Sequence, residues 1–280
     1  MQKVNINCLC LEITRRCNLE CAHCLRGNSE FKDMSDEILN NIFSDISSIH
    51  ELDLGGGEPL LAPNVIEKII KIINERKIKI DIVSFTTNGT VLSEKQINLL
   101  QQLKNIAVLD VRLSHDKFHL KEIIRKGLLD KFKRNILIFT KILGYSPLEK
   151  SFHIDNEGIR RIGRAKMLGQ KDLYAINQWG YPTNYWINPL GSPNTMNVIE
   201  ILDLEEDEIK VFGNLNFSVN GYLTNSDQEY SSEDLGPIFM LNVKDQSLIS
   251  VLKQYELIYK ESLGEDYLVY RDEIEKKHKI

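Results

Sequence analysis

Ile13-Thr14-Arg15-Arg16-Cys17-Asn18-Leu19-Glu20-Cys21-Ala22-His23-Cys24 gathers three of the chain's five cysteines into one short stretch. It offers three thiolates, not four. A structural zinc site closes its tetrahedron with four protein ligands, and iron-sulfur electron-transfer sites usually take four cysteines, so three thiolates leave a metal corner open. On a four-iron four-sulfur cluster they hold three irons, and the fourth is free for the amine and carboxylate of an amino acid. An apolar alternating run, Val4 to Ile13, leads into the stretch as a strand leads into a loop. A second apolar run, Leu52 to Leu54, ends in Gly55-Gly56-Gly57-Glu58-Pro59. Glycines there let backbone carbonyls approach closely, and a carboxylate neutralises an ammonium.

The spacing Cys17-x3-Cys21-x2-Cys24 after one strand, with Gly56-Gly57-Glu58-Pro59 after the next, resembles the signature of the radical S-adenosylmethionine (radical SAM) superfamily. The resemblance implies one 4Fe-4S cluster held by Cys17, Cys21 and Cys24. It implies S-adenosylmethionine with its methionyl ammonium at Gly56, Gly57 and Glu58. It also implies an external electron donor of flavodoxin or ferredoxin type.

Composition agrees with a large core: 280 residues at 42% hydrophobic content suffice for one large domain and a small one. No stretch approaches ~20 uninterrupted apolar residues, and no apolar signal region follows Lys3, so the expectation is a cytoplasmic protein without a membrane anchor. Bunched cysteines make a poor disulfide framework, and an oxygen-labile cluster wants a reducing compartment. A net charge of -5 argues against a broad nucleic-acid surface. The acidic run Asp203 to Glu208 reads as a solvated turn or helix face.

Strand and helix signals alternate through the first half, as in parallel βα units. Ser35 caps a helical run to about Ser48, and Pro63 opens a second helix to Arg76-Lys77. Ile80 to Phe85 reads as strand three, Ser93 as the start of helix three and Val108 to Leu113 as strand four. Leu120 to Leu129 reads as helix four, Asn135 to Thr140 as strand five, and a sixth strand falls between Ser151 and Ile162. The fold expected is α/β, a partial parallel (β/α)6 radical SAM barrel over residues 1–168. An aromatic-rich connector over 169–197 and a small α+β C-terminal segment over 198–280 follow it.

Parallel units put every strand's C-terminal end on one side, where sites collect. His23 and the cysteines follow strand one, Gly55 to Glu58 strand two, Asn88 strand three, and Ser114 with Asp116 strand four. Gly, Asn, Ser and Asp also serve turns for backbone reasons alone, so Asn88, Ser114 and Asp116 read either as turn residues or as cofactor contacts. By the resemblance, Ser114-His115-Asp116 looks like a Ser-x-Asp element whose serine approaches the methionyl carboxylate, and His23 lies against the adenine or packs the loop. Arg164, in Gly163-Arg164-Ala165, offers a bidentate fork to the cofactor or a substrate carboxylate, or is a solvated basic turn. Cys8 and Cys10 sit two apart and so face the same way; they are hydrogen-atom donors or small buried hydrophobes.

Both tryptophans, Trp179 and Trp186, fall in the connector, which reads as self-packed or as a substrate-facing lid. Val198 to Asp203, Ile209 to Phe212 and Leu215 to Val219 read as short strands, with a hairpin signal at Asn220-Gly221. Helices close the chain at about Ser247 to Ser262 and Asp266 to Lys279. This order resembles the SPASM domain or its shorter relative, twitch. Those domains bind auxiliary clusters, and no cysteine lies beyond Cys24, so no auxiliary cluster is expected.

By the resemblance, the functional expectation is reductive cleavage of S-adenosylmethionine to a 5'-deoxyadenosyl radical, which abstracts hydrogen from a peptide or protein substrate, foremost a ribosomally made peptide, for cross-linking or epimerisation. The first strand begins near Met1, so no leader-binding domain is expected before it. Rival readings are a glycyl-radical activase, a small-molecule radical SAM enzyme and a non-catalytic iron-sulfur binding or sensor module. The sequence leaves the oligomeric state open.

Overall fold

A period of two runs through the central strands and decides where every side chain goes. The computed structural model describes residues 2–24, 26–114, 116–143, 151–152, 164, 199–204, 206–224 and 241–278. β1 (Lys3–Thr14) is flanked by β2 (Ile46–Gly56) on one side and, through a late return of the chain, by β7 (Glu208–Phe217) on the other, both parallel to it. Beyond β2 lie β3 (Lys79–Thr87), β4 (Val108–Ser114) and the short β5 (Ser151–Phe152), again parallel. β6 (Glu200–Leu202) and β8 (Leu223–Thr224) pair antiparallel with β7. The order across the sheet is β5-β4-β3-β2-β1-β7-β6, with β8 against β7.

Register then separates two faces. Leu9, Leu52 and Val83 stand side by side, as do Leu11, Leu54 and Phe85, and all six are buried in one apolar core with helical residues such as Leu39, Ile66 and Leu100. The residues between them point to the other face. There the lowest row, Ile6, Ile49 and Ile80, is apolar and buried. Above it the face turns polar.

The helices start and stop where their local chemistry says. α1 (Asp36–Ile42) is capped by the Ser35 hydroxyl, which accepts from the Ile38 amide at 3.3 Å. α2 (Pro63–Arg76) has Pro63 in its first turn and ends on Lys77 in the left-handed region. α3 (Glu94–Ile106) opens on a Ser93/Gln96 capping box, and α4 (Lys117–Arg125) is capped by Asp116. α5 (Leu129–Leu143) occupies the span expected as strand five. Asn135 to Thr140 is a short apolar run that periodicity alone assigns poorly. In place, Phe132 and Phe139 are buried while Leu137 is 70% exposed, a helical pattern.

α6 (Leu248–Leu263) and α7 (Tyr267–His278) close the chain. The hydroxyl of Tyr255 accepts from the Ile199 amide at 3.2 Å, and Asn41 Nδ2 donates to the Val243 carbonyl at 2.8 Å. The strands expected at Ile209–Phe212 and Leu215–Val219 are one strand, β7, and it belongs to the same sheet as β1. The aromatic connector and the sixth-strand span beyond Phe152 lie outside the described residues. Among those described, no helix is long and apolar enough to cross a membrane.

Candidate active site

Because β1 to β4 are parallel, their ends at Thr14, Gly56, Thr87 and Ser114 share one edge of the sheet. The cysteine loop leaves β1 there and is clamped to the glycine turn after β2. Gly57 N donates to Thr14 O and Glu58 N to Arg16 O, each at 2.8 Å. So close a docking explains the glycines. A side chain on Gly56, whose φ is +134°, would start 2.3 Å from Thr14 O, and one on Gly57 would start 2.4 Å from Arg16 O. Only a turn without β-carbons seats against this loop.

Cys21 is buried with Leu19, Ile123 and Phe132, and Cys17 and Cys24 pack against the same group. α4 and α5 thus roof the thiols with apolar side chains. Burial pushes the Cys17 thiol up to about 11 and Cys21 higher still. Without a metal these groups are neutral thiols; a bound cation is what makes them thiolates. Arg164, the candidate fork, is occupied by this loop: its Nε donates to Cys21 O at 2.9 Å, its Nη1 to Gly27 O, and its own amide to Cys24 O at 3.0 Å. It holds the loop's carbonyls in place.

Glu58 has no exposed surface. Its carboxylate accepts from Asn88 N and Thr87 Oγ1, each at 2.7 Å, and from Leu60 N at 3.2 Å. Burial nevertheless pushes the carboxyl up to about 7. A carboxylate has about four acceptor positions, so one remains for an ammonium, which would favour the charged form. Asn88 joins the same network, its Nδ2 donating to Asn18 Oδ1 at 3.0 Å and so tying strand three to the cysteine loop.

This carboxyl gives a pH dependence. Between the ordinary 4.5 and about 7 the cofactor-free folded protein keeps a proton that the unfolded chain has released, so stability falls as pH rises through that window. The ceiling is roughly 3 kcal/mol, at about 1.4 kcal/mol per pH unit. Urea midpoints of wild type and Glu58→Gln, compared at about pH 5 and about pH 7.5, should converge towards the acid side. Parallel midpoints would remove Glu58 as the cause.

His23 stacks on Phe118 with ring centroids 4.7 Å apart and meets His119 edge-on at 4.8 Å. Burial lowers its pKa to about 4, so the imidazole is neutral and its 3.7 Å approach to Asp116 is no ion pair. Asp116 caps α4, accepting from Phe118 N at 2.8 Å and His119 N at 3.0 Å, and also bonds His119 Nδ1. Although burial opposes it, the His119 bond and charge hold this carboxyl well below the usual range. Ligating atoms of Cys21, His23 and His119 lie within 4.8 Å of one another. Sequence reasoning passed over His119 as a neighbour of Asp116; its i,i+3 spacing from a helix cap was the available signal. Among the described residues His23 Nδ1 is buried without a hydrogen-bond partner, a polar atom left for a bound group.

Ser114 ends β4 on the polar face with Asp110 and Arg112, next to Phe152 in register. Cys8 and Cys10 lie on that face too, their Sγ atoms 3.6 Å apart. Residues that sequence reasoning did not select complete it. Glu12 accepts from Arg26 Nη1 at 2.8 Å and from Val219 N at 3.1 Å, which joins the cysteine loop to the C-terminal hairpin. Ser84 Oγ donates to Glu51 at 2.7 Å and to Asp53 at 3.1 Å. Arg112 bridges Asp110 and Glu51, each at 3.1 Å. Their signal was alternation: Glu51-x-Asp53 and Asp110-x-Arg112 repeat with the strand period.

Residues 11–144 match the Radical SAM superfamily model. An uncharacterized protein of Methanocaldococcus jannaschii is 31% identical over 121 residues, 42% of this chain and 41% of that protein. A GTP 3',8-cyclase of Clostridium perfringens is 37% identical over 134 residues, 45% of this chain and 40% of the cyclase. The match thus spans well under half the length of either relative. A solved structure of anSMEcpe with bound AdoMet and a peptide superposes with a TM-score of 0.50 at 17% identity, covering 89% of this chain and 80% of that one. The superfamily's cofactors are a 4Fe-4S cluster and S-adenosylmethionine, and the site fits both: three gathered thiols, a side-chain-free cradle, a buried carboxylate with an open acceptor position, and an unpartnered imidazole nitrogen. Over residues 11–144, the chain carries a radical SAM domain.

Proposed function

We propose that this protein cleaves S-adenosylmethionine reductively and uses the radical to abstract hydrogen from a peptide or protein substrate. The observation carrying the reading is the clamp between the cysteine loop and the glycine turn, with Glu58 buried at its base and a polar sheet face running away from it. When bound, the cluster and S-adenosylmethionine supply the 5'-deoxyadenosyl radical. The chain's own residues do the rest. Gly56 and Gly57 give room at the backbone, Glu58 fixes a cation, and Leu19, Ile123 and Phe132 exclude water from the thiols. Cys8 and Cys10 remain proposed hydrogen donors for an epimerising version of the reaction.

Two substrate classes compete. The curated relatives named GTP 3',8-cyclases suggest a nucleoside triphosphate, and the solved neighbour holds a peptide. The extent of the likeness favours the peptide: the solved structure that holds one covers 89% of this chain, whereas the cyclase match covers 45%. A glycyl-radical activase shares the cofactor residues, and electron paramagnetic resonance after mixing with a candidate partner enzyme separates it. A purely structural cluster has no use for the glycine cradle and Glu58.

Anaerobic reconstitution with iron and sulfide, followed by dithionite reduction with S-adenosylmethionine, should give 5'-deoxyadenosine and about four irons per chain. A loaded cluster without cleavage, across several reductants and candidate peptides, would overturn the enzyme in favour of a binding module.

A further inference from the structure

We infer that the outer face of α4 and α5 is where a small acidic electron-carrier protein docks to reduce the site beneath. The inference rests on the proposed reductive cleavage, which takes one electron per turnover from outside the site. Residues 120–141 carry seven lysines and arginines against two carboxylates, on a chain whose net charge is -5. Positive charge gathered on one span of an acidic chain attracts an acidic partner and speeds its encounter.

The helical period decides where these charges stand. Phe132, Asn135 and Phe139 are the buried side of α5, so Arg134, Leu137 and Lys141, at three- and four-residue spacing, are its opposite side. Lys131 and Lys133 flank that stripe, and Lys121 shares the outer side of α4 with Ile124. All five cations are exposed, and none has an ion-pair partner among the described residues. By contrast Arg125 holds Glu20 and Glu122, and Lys126 holds Glu20. Of the span's two carboxylates only Asp130 is left over. An apolar centre accompanies the charge: Leu137 is 70% exposed and Ile124 60%. Exposed apolar side chains beside unpaired charge are the make-up of a protein interface, and a small anion has no use for them.

The thiols lie directly under this face. On the inner sides of the same two helices, Ile123 and Phe132 pack with Cys21, so one helix layer, about 10 to 12 Å, separates a docked partner from the cysteines. At its edge the face reaches the cysteine loop itself, because Arg125 and Lys126 hold Glu20, the neighbour of Cys21. A partner seated there approaches through the helical roof and leaves the glycine turn and Glu58 to the cofactor. It gives up one electron and departs oxidised by one; no atom is transferred.

Calorimetry with the reconstituted protein tests the docking, using a flavodoxin and a 2Fe-2S ferredoxin as acidic donors and hexaglutamate as a small polyanion. At least one donor should bind, with affinity falling about tenfold as salt rises from about 50 to about 300 mM. Lys133→Glu/Arg134→Glu should weaken that binding about tenfold, whereas Lys71→Glu/Lys244→Glu, an equal charge change on exposed lysines elsewhere, should weaken it by less than about twofold. All four side chains are exposed, so both variants should fold as wild type, which circular dichroism checks. Reduction supplies a second readout. 5'-Deoxyadenosine formation driven by dithionite, which needs no docking, should be unchanged in Lys133→Glu/Arg134→Glu, and formation driven by the reduced donor should fall about tenfold. No binding by either donor, equal response to the two pairs of reversals, or hexaglutamate binding as tight as a donor's would overturn the proposal. Should wild type with dithionite form no 5'-deoxyadenosine, the reductive reading fails, and the binding comparison still decides whether the face docks an acidic protein.

Discussion

Cys21→Ala should yield a folded protein that forms 5'-deoxyadenosine only at background. Cys21 is 4% exposed and set among Leu19, Ile123 and Phe132, so losing its sulfur leaves a small apolar gap worth about 1 kcal/mol, too little to unfold a domain with this core. The chemistry has no such margin. Cys17 and Cys24 alone cannot hold a cluster that needs three thiolates to present one open iron. His23 and His119, within 4.8 Å of Cys21, offer nitrogen atoms in reach, yet Asp116 already holds His119, and His23 is stacked on Phe118. Iron per chain should fall well below that of wild type, while Cys8→Ala, on the polar face, should keep its iron. Full iron loading in Cys21→Ala would show that an imidazole replaces the thiol.

Much of this site was legible because its parts lie at strand ends. Cys17 to Cys24 and Gly56 to Glu58 are contiguous in sequence, so a motif captures them before any fold is known. What the motif did not show is how Glu58 is used. Its carboxylate meets Asn88 and Thr87 from another strand, and sequence carries no distance between residues some thirty positions apart. Arg164 illustrates the same limit: the expected fork for a carboxylate is taken up by loop carbonyls.

The fold was misread where one apolar pattern suits two elements. Ile38, Leu39, Ile42, Phe43 and Ile46 recur at helical spacing, and the expected first helix ran on to about Ser48. The chain instead ends α1 at Ile42 and starts β2 at Ile46, because β1 offers Val4 as a parallel partner there, with an irregularity in the pairing just after it. Pairing partners distant in sequence override local propensity. β7 is the larger case: its place beside β1 joins residues some two hundred positions apart, and nothing in its own alternation names that neighbour. The polar face was legible in principle, since Cys8, Cys10 and Glu12, Glu51 and Asp53, and Asp110 and Arg112 each keep the two-residue period. Only the register puts them in rows.

Gly57→Ala should be as damaging to activity as removing a thiol, for a reason of geometry. The added methyl would start 2.4 Å from Arg16 O, 2.8 Å from Arg16 C and 3.1 Å from the Cys17 β-carbon. The first two are backbone atoms of the cysteine loop and cannot rotate away. Relief requires the loop and the glycine turn to part, which breaks the bond from Glu58 N to Arg16 O and moves Cys17 relative to Glu58. A displacement of about 1 Å between reacting groups costs on the order of 100-fold in rate, so 5'-deoxyadenosine formation should fall by at least that much. Stability should fall less, by about 1 to 3 kcal/mol, since overpacking here strains one loop at the sheet's edge. Iron content separates this variant from Cys21→Ala: all three thiols remain, so Gly57→Ala should still load iron yet bind S-adenosylmethionine poorly. If Gly57→Ala cleaves S-adenosylmethionine at the wild-type rate, the clamp between the two loops does not set the geometry of the reaction.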